Sequence, residues 1–395
     1  MSQRRLSPTN AAVAPKARLL SALGGGRPAI LPVAPLYLSL YLAKVRHETY
    51  AEEWRRRAEL AGGTMGVTFE DELAVQREVW YSGYEVFAEA PDWLTLPIVG
   101  SRRPLEGCVV ALEDEGACYW TSAAGMRHRL DLPFSDAVSP RWEATDPPRS
   151  AEEARARIPV PESRDIEEAG HLELARRLLA EVGETYALCW LTGSPYTAGY
   201  AHLGFQGLML AMREQPEVLL AIAEAQLEVL LAWATAVRNA GVQVVFVEEW
   251  ACGADLISPE HYRTFAWPFE RELCRELRRL GFRTVFYFCG AIDDRLAELS
   301  GLEADALAFE ESKKGWRVDI GEVRGTAGPE RCLFGNLDVV RVRDGDREAL
   351  RRDVRRQIDA AGSKAFVTSI GSPLTLDTPP HKVDWLIEAA REYES

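Results

Sequence analysis

Long apolar runs are missing from this chain. No stretch of eighteen or more consecutive apolar residues occurs, so no membrane span is expected, and the polar N-terminus with Arg4, Arg5, Lys16 and Arg18 has no apolar block behind it to make a signal peptide. Basic excess is missing too. The 60 acidic residues against 46 lysines and arginines leave a formal charge of −14, which opposes binding to a phosphate backbone and argues against nucleic acid as a partner. The 7 cysteines (108, 118, 189, 252, 274, 289 and 332) contain no CxxC pair, and an odd, scattered set reads as reduced thiols in a cytoplasmic protein. Histidine is scarce, 6 in all, and none forms H-x-x-x-H or H-x-C. The glycine-rich stretch 22–26 lacks the GxGxxG or GxxxxGK[ST] pattern and the preceding strand that a phosphate cradle requires.

What is present is a rhythm of β-branched and aromatic runs separated by helical periodicity. Strands are expected at 29–33, 84–88, 186–191, 243–248, 283–288, 305–309, 331–334 and 365–370. Between them, 216–239 repeats apolar residues at helical spacing with Gly241 as a stop, and Ser258-Pro259 and Thr378-Pro379 each read as an N-cap followed by proline at the first helical position. Eight strands alternating with helices predict an α/β fold, a (β/α)8 TIM barrel with an insertion between strands two and three. Residues 1–27 read as a flexible N-terminal segment and 28–395 as one barrel domain, with 92–180 as an insertion over the barrel mouth.

In such a barrel the chemistry sits at the C-terminal ends of the strands. Strand four ends Glu248-Glu249-Trp250, strand five Tyr287-Phe288-Cys289-Gly290, strand six Glu310-Glu311, strand seven Asn336-Leu337-Asp338 and strand eight Gly371-Ser372. Carboxylates crowded at adjacent strand ends repel one another and raise each other's pKa unless a cation or donor stands among them, an arrangement whose cost points to function. Because side chains alternate along a strand, one glutamate of each pair is expected to point away. The catalytic candidates are therefore Glu248, Glu249, Tyr287, Cys289, Glu311 and Ser372. Tyr37, Tyr196, Tyr200, His202, Trp250 and Asn336 are the substrate-binding candidates, aromatic or polar groups near the expected mouth. Asp338 reads as a helix cap.

Gly335-Asn336-Leu337-Asp338, then Gly371-Ser372 and Asp377-Thr378-Pro379-Pro380, together with Ser258-Pro259-Glu260-His261-Tyr262 and Phe288-Cys289-Gly290, resemble the uroporphyrinogen decarboxylase and cobalamin-linked methyltransferase superfamily. Gly193-Ser194-Pro195-Tyr196-Thr197 resembles its Gly-Ala-Pro-Phe-Thr turn. The methyltransferase branch holds zinc with His-x-Cys after strand five, an acid after strand six and a second Cys after strand eight. Those positions look like Tyr287, Cys289, Glu310 or Glu311, and Ser372 here, so two ligands are replaced, and Cys289 and Glu311 are the metal-ligand candidates left for zinc. The decarboxylase branch has an Arg-rich N-terminal motif and a His after strand eight; this chain reads Pro32-Val33-Ala34-Pro35-Leu36-Tyr37 and Ser372 instead, which removes the charge partners of a polycarboxylate tetrapyrrole. The resemblance implies an enzyme that moves a methyl group to or from a small organic substrate. Because D-x-H-x-x-G is absent, any cobalamin would arrive on another protein, a corrinoid partner, or free. The alternatives are a decarboxylase of an electron-rich aromatic acid, with Glu249 or Tyr287 as acid, and a ligand-binding barrel without catalysis. Relatives suggest a monomer or a homodimer.

Overall fold

The computed structural model describes residues 6, 13–102, 105–113, 116–135, 141–313 and 315–393. Among the described residues the strands, in chain order, are β1 (Thr64–Gly66), β2 (Trp93–Thr95), β3 (Val109–Leu112), β4 (Cys118–Thr121), β5 (Arg127–Arg129), β6 (Ala187–Gly193), β7 (Val244–Glu249), β8 (Arg283–Phe288), β9 (Ala306–Phe309), β10 (Cys332–Phe334) and β11 (Phe366–Val367). Seven form a parallel sheet in the order β11-β10-β9-β8-β7-β6-β2. Helices cover it, so the strands are buried on both faces and read as continuous apolar runs. The fold is TIM-barrel-like.

The expected first strand is reduced to a bridge between Val33 and Thr368. Even so, the segment lies between the two sheet edges: Ala34 N donates to Thr368 O at 3.0 Å, Thr368 N to Pro32 O at 2.9 Å, and Asp92 N to Val33 O at 2.8 Å. Pro32 and Pro35 have no N–H, so a longer ladder has too few donors. The expected strand 84–88 is a second correction. The helix Phe69–Tyr84, opened by a Thr68–Asp71 capping box, reaches that far, and the sheet strand is Trp93–Thr95 instead, whose aromatic and β-branched residues fell inside the expected insertion. From β6 onward the expected strands coincide with the observed ones within a residue or two, apart from a short β11.

The insertion also differs from expectation in its membership. A four-stranded antiparallel sheet, β1-β3-β4-β5, recruits β1 from before β2, and its own small core packs Trp54 of helix Ala43–Leu60 edge-on to Trp120 at 5.2 Å. Residues 1–12, apart from Leu6, lie outside the described residues. Beyond them the expected flexible lead-in is a helix, Pro15–Leu23, with Leu19 and Ala22 fully buried. Arg18 of that helix pairs with Glu89 and with the buried Asp92, which Arg391 of the last helix also reaches at 3.0 Å. This network sits at the strand starts, the face of a barrel that carries stability. Thr378 does not cap a helix: the last helix is His381–Arg391, and the Thr378 carbonyl accepts from Tyr41 Oη at 2.6 Å. Helix Pro216–Asn239 is long and apolar enough to cross a bilayer, yet Leu219, Ile222, Ala225, Ala234 and Val237 are buried in the main core.

Candidate active site

Parity along β7 decides the site. Phe246 and Glu248 point inward, where Phe246 meets Tyr37 at 5.3 Å, Tyr287 at 5.5 Å and Trp93 at 5.8 Å between ring centroids. Glu249 points the other way, into the helix layer. On β8 the same alternation sends Tyr287 and Cys289 inward and Phe288 outward against Tyr262, 6.1 Å away.

The inward set is Tyr37, Glu248, Tyr287 and Cys289. Burial, helped by the neighbouring Glu249, holds the Glu248 carboxyl above the usual carboxylate range. Burial raises the Cys289 thiol as well, and the nearby Glu248 and Glu310 add to the rise. Tyr287 Oη donates to Gly371 O at 2.7 Å, tying β8 to the loop after β11. Tyr37 has left-handed backbone, φ 53°, and its buried hydroxyl faces the Glu248 carboxyl, whose raised pKa it partly offsets. Strained backbone at a barrel mouth is a recognised mark of a functional position.

Beside this set lies a charged one. Glu310 Oε2 accepts from Gly290 N at 2.8 Å. Ser372 Oγ lies 2.7 Å from Glu311 Oε2 and 3.2 Å from Glu310 Oε1, and the Lys313 ammonium reaches Glu311 and sits 3.1 Å from Ser372 Oγ. Two glycines permit these approaches. A side chain at Gly290, φ 91°, would meet Asp255 Oδ1 at 2.6 Å, and one at Gly371 would collide with Glu311.

Glu249 is the main departure from expectation. Its fully buried carboxylate accepts from Ser194 Oγ, Thr197 Oγ1 and, at 2.7 Å, Ala251 N, so it locks the Gly-Ser-Pro-Tyr-Thr turn instead of facing Cys289. With Cys252 and Glu270 it forms a buried triad whose ligand atoms lie within 4.8 Å of one another. Cys252 Sγ donates to Glu270 Oε1 at 3.6 Å and Tyr262 Oη to Glu270 Oε2 at 2.6 Å. The triad has the donor types of a cation site, but protons and hydroxyls already occupy these oxygens. Tyr262 is placed by a π-helical turn, Tyr262–Ala266, next to Pro268, which cannot donate to the preceding turn.

Tyr196 is fully buried with its hydroxyl on Met212 Sδ at 3.6 Å, and Asn336 is used up internally: Nδ2 donates to Glu310 O and Val318 O, and Oδ1 accepts from Gln357. Both support the site without lining it. Tyr200, Trp250, Phe205 and Trp142 make an aromatic cluster over the β6 and β7 loops, with Tyr200 to Trp250 at 5.3 Å and Trp142 to Phe205 at 5.7 Å. His202 contacts Gln226 at 2.9 Å, and burial lowers its pKa. Asp338 caps the following helix, accepting from Val340 N at 2.8 Å.

The donor set does not fit a tight zinc site at the positions expected from the resemblance. Tyr287 and Ser372 offer hydroxyls, Glu311 already holds an ammonium, and Cys289 is the one soft donor among the four. Lys313, which no strand-end pattern marks, was the residue missed; its Glu-Glu-x-Lys spacing after β9 was the available signal.

The uroporphyrinogen decarboxylase (URO-D) family model matches residues 130–393. Uroporphyrinogen decarboxylases of Trichodesmium erythraeum and Nocardia farcinica are 26% and 27% identical over 325 and 319 residues, covering 79% and 73% of this chain and 86% and 85% of theirs. Among solved structures, a methyltransferase from Methanosarcina mazei has a TM-score of 0.65 at 17% identity, covering 96% of this chain and 98% of that one, which shows a shared fold. With its sheet from β6 to β11, its strand-end loops and its last helix all inside the matched region, the chain belongs to the uroporphyrinogen decarboxylase family.

Proposed function

We propose that this barrel transfers a methyl group from a small aromatic methyl donor to a carrier, with Glu248 as the acid that protonates the leaving atom. The observation that supports it most is the Glu248 carboxyl, raised in pKa and set against the Tyr37 hydroxyl on a floor of Phe246, Tyr287 and Trp93. The ring floor takes a planar substrate and Tyr37 Oη hydrogen-bonds its polar edge. As the C–O bond breaks, its electron pair stays on oxygen and collects the Glu248 proton, while the carrier donates the pair that forms the new bond to carbon. A cobalamin on a partner protein is the carrier the resemblance implies.

Decarboxylation of an aromatic acid is the second reading, favoured by the names of the related decarboxylases. The same acid would protonate the ring carbon before carbon dioxide leaves. Uroporphyrinogen itself suits the site poorly, because Glu248, Glu310 and Glu311 crowd the mouth and the Lys313 ammonium is already paired.

The test is Glu248→Gln assayed with methoxylated benzoates, following methyl transfer to reduced cobalamin and carbon dioxide release in parallel. Loss of the proton donor is expected to lower kcat by roughly 100-fold or more with KM little changed. Wild-type rate should fall as pH rises through the raised pKa of Glu248. Undiminished turnover in the variant would remove Glu248 from the chemistry, and carbon dioxide release without methyl transfer would select the second reading.

A further inference from the structure

The positions that the resemblance marks for zinc are engaged by partners within the chain. Glu311, 4% exposed, holds the Lys313 ammonium on one oxygen and the Ser372 hydroxyl on the other. The same ammonium lies 3.1 Å from Ser372 Oγ and 3.7 Å from Glu310 Oε1. A bridge between Lys313 and Trp316 turns the loop after β9 back on itself and fixes where this lysine begins. Glu310 and Glu311 are consecutive carboxylates and need a counter-charge nearby; an ammonium supplies one positive charge and three donors without a bound ion.

We infer that Lys313 is the resident cation of this site and stands where the methyltransferase branch of the superfamily places its metal. The divalent ion is thereby excluded by charge and by occupancy. Ser372, in the position of a thiolate ligand, serves the ammonium as an oxygen acceptor, a role for which cysteine is the poorer choice. The inference concerns the charge at the mouth and holds whichever group the enzyme moves.

The experiment compares full-length wild type, Lys313→Ala and Lys313→Arg, stripped with a chelator and titrated with Co2+ and then Zn2+, with cobalt–thiolate absorption as the signature of Cys289. Lys313 has a side chain 39% exposed, so its truncation leaves no buried cavity, and circular dichroism checks the fold of each variant. Wild type and Lys313→Arg are expected to bind metal weakly and without the thiolate band. Lys313→Ala is expected to bind Co2+ roughly thirtyfold more tightly or better, the effect of removing a unit charge about 4 Å from a divalent ion even in bulk water. The band should vanish in Lys313→Ala/Cys289→Ser. Stoichiometric zinc in wild type that depends on Cys289, or equal affinity in wild type and Lys313→Ala, would overturn the inference. Because the readout is metal binding, inactivity on methoxylated substrates leaves its outcome unaffected.

Discussion

Replacing Glu270 with glutamine should flatten the dependence of this protein's stability on pH. Glu270 is fully buried on the helix Trp267–Arg279, and its carboxyl is pushed up from 4.5 to about 8, mainly by burial and then by the neighbouring Glu249. The folded state therefore keeps a proton that the unfolded chain releases above pH 4.5. Stability is complete below that pH, falls between about 4.5 and 8, and levels off once both states are ionised. A rise of 8 − 4.5 = 3.5 pH units, at ~1.4 kcal/mol each, corresponds to a loss on the order of 5 kcal/mol across that window, a large fraction of a typical folding free energy. Glutamine keeps a carbonyl oxygen for the Tyr262 hydroxyl and cannot ionise. Urea unfolding at pH 5 and pH 9 provides the measurement: the variant should be close to wild type, or weaker, at pH 5 and clearly more stable relative to it at pH 9. Parallel stability curves for the two proteins would refute the reasoning, since a carboxyl that ionises normally in the folded state needs no such difference.

Two further changes test separate parts of the molecule. Asp92→Asn removes the charge that Arg18 and Arg391 share at the bottom of the barrel and should cost roughly 3 kcal/mol or more in chemical unfolding, because Arg18 stays buried; a change under about 1 kcal/mol would show the network to be dispensable. Tyr37→Phe deletes a hydroxyl that faces Glu248, so stability should change by no more than about 1 kcal/mol while KM for the substrate increases several-fold. A destabilised variant with unchanged KM would place that hydroxyl in a structural role.

The strands from β6 to β11 were legible because a parallel strand buried on both faces must be apolar throughout, and runs such as Val244–Glu249 and Arg283–Phe288 stand out against polar helices. The first two strands were not. Proline-limited pairing shrank one to a bridge, and three residues, Trp93–Thr95, are too few to show a period. Of Glu249, Cys289, Glu311 and Ser372, the last two meet in a hydrogen bond, Cys289 lies near Glu248 and Glu310, and Glu249 turns into the helix layer to hold Ser194 and Thr197. Glu270 reads in the sequence as one more acid on an amphipathic helix, and nothing local says that its face is covered.

By itself the sequence determined that strands and helices alternate and which polar residues close each strand, because burial and turn chemistry are local demands written residue by residue. Only the tertiary structure decided that Glu248 and not Glu249 enters the barrel and that a lysine from the loop after β9 pairs with the glutamates that close it. Strand parity has no origin until the sheet curls and gives it an inside, and an ion pair across a loop depends on a fold that brings the charges within reach.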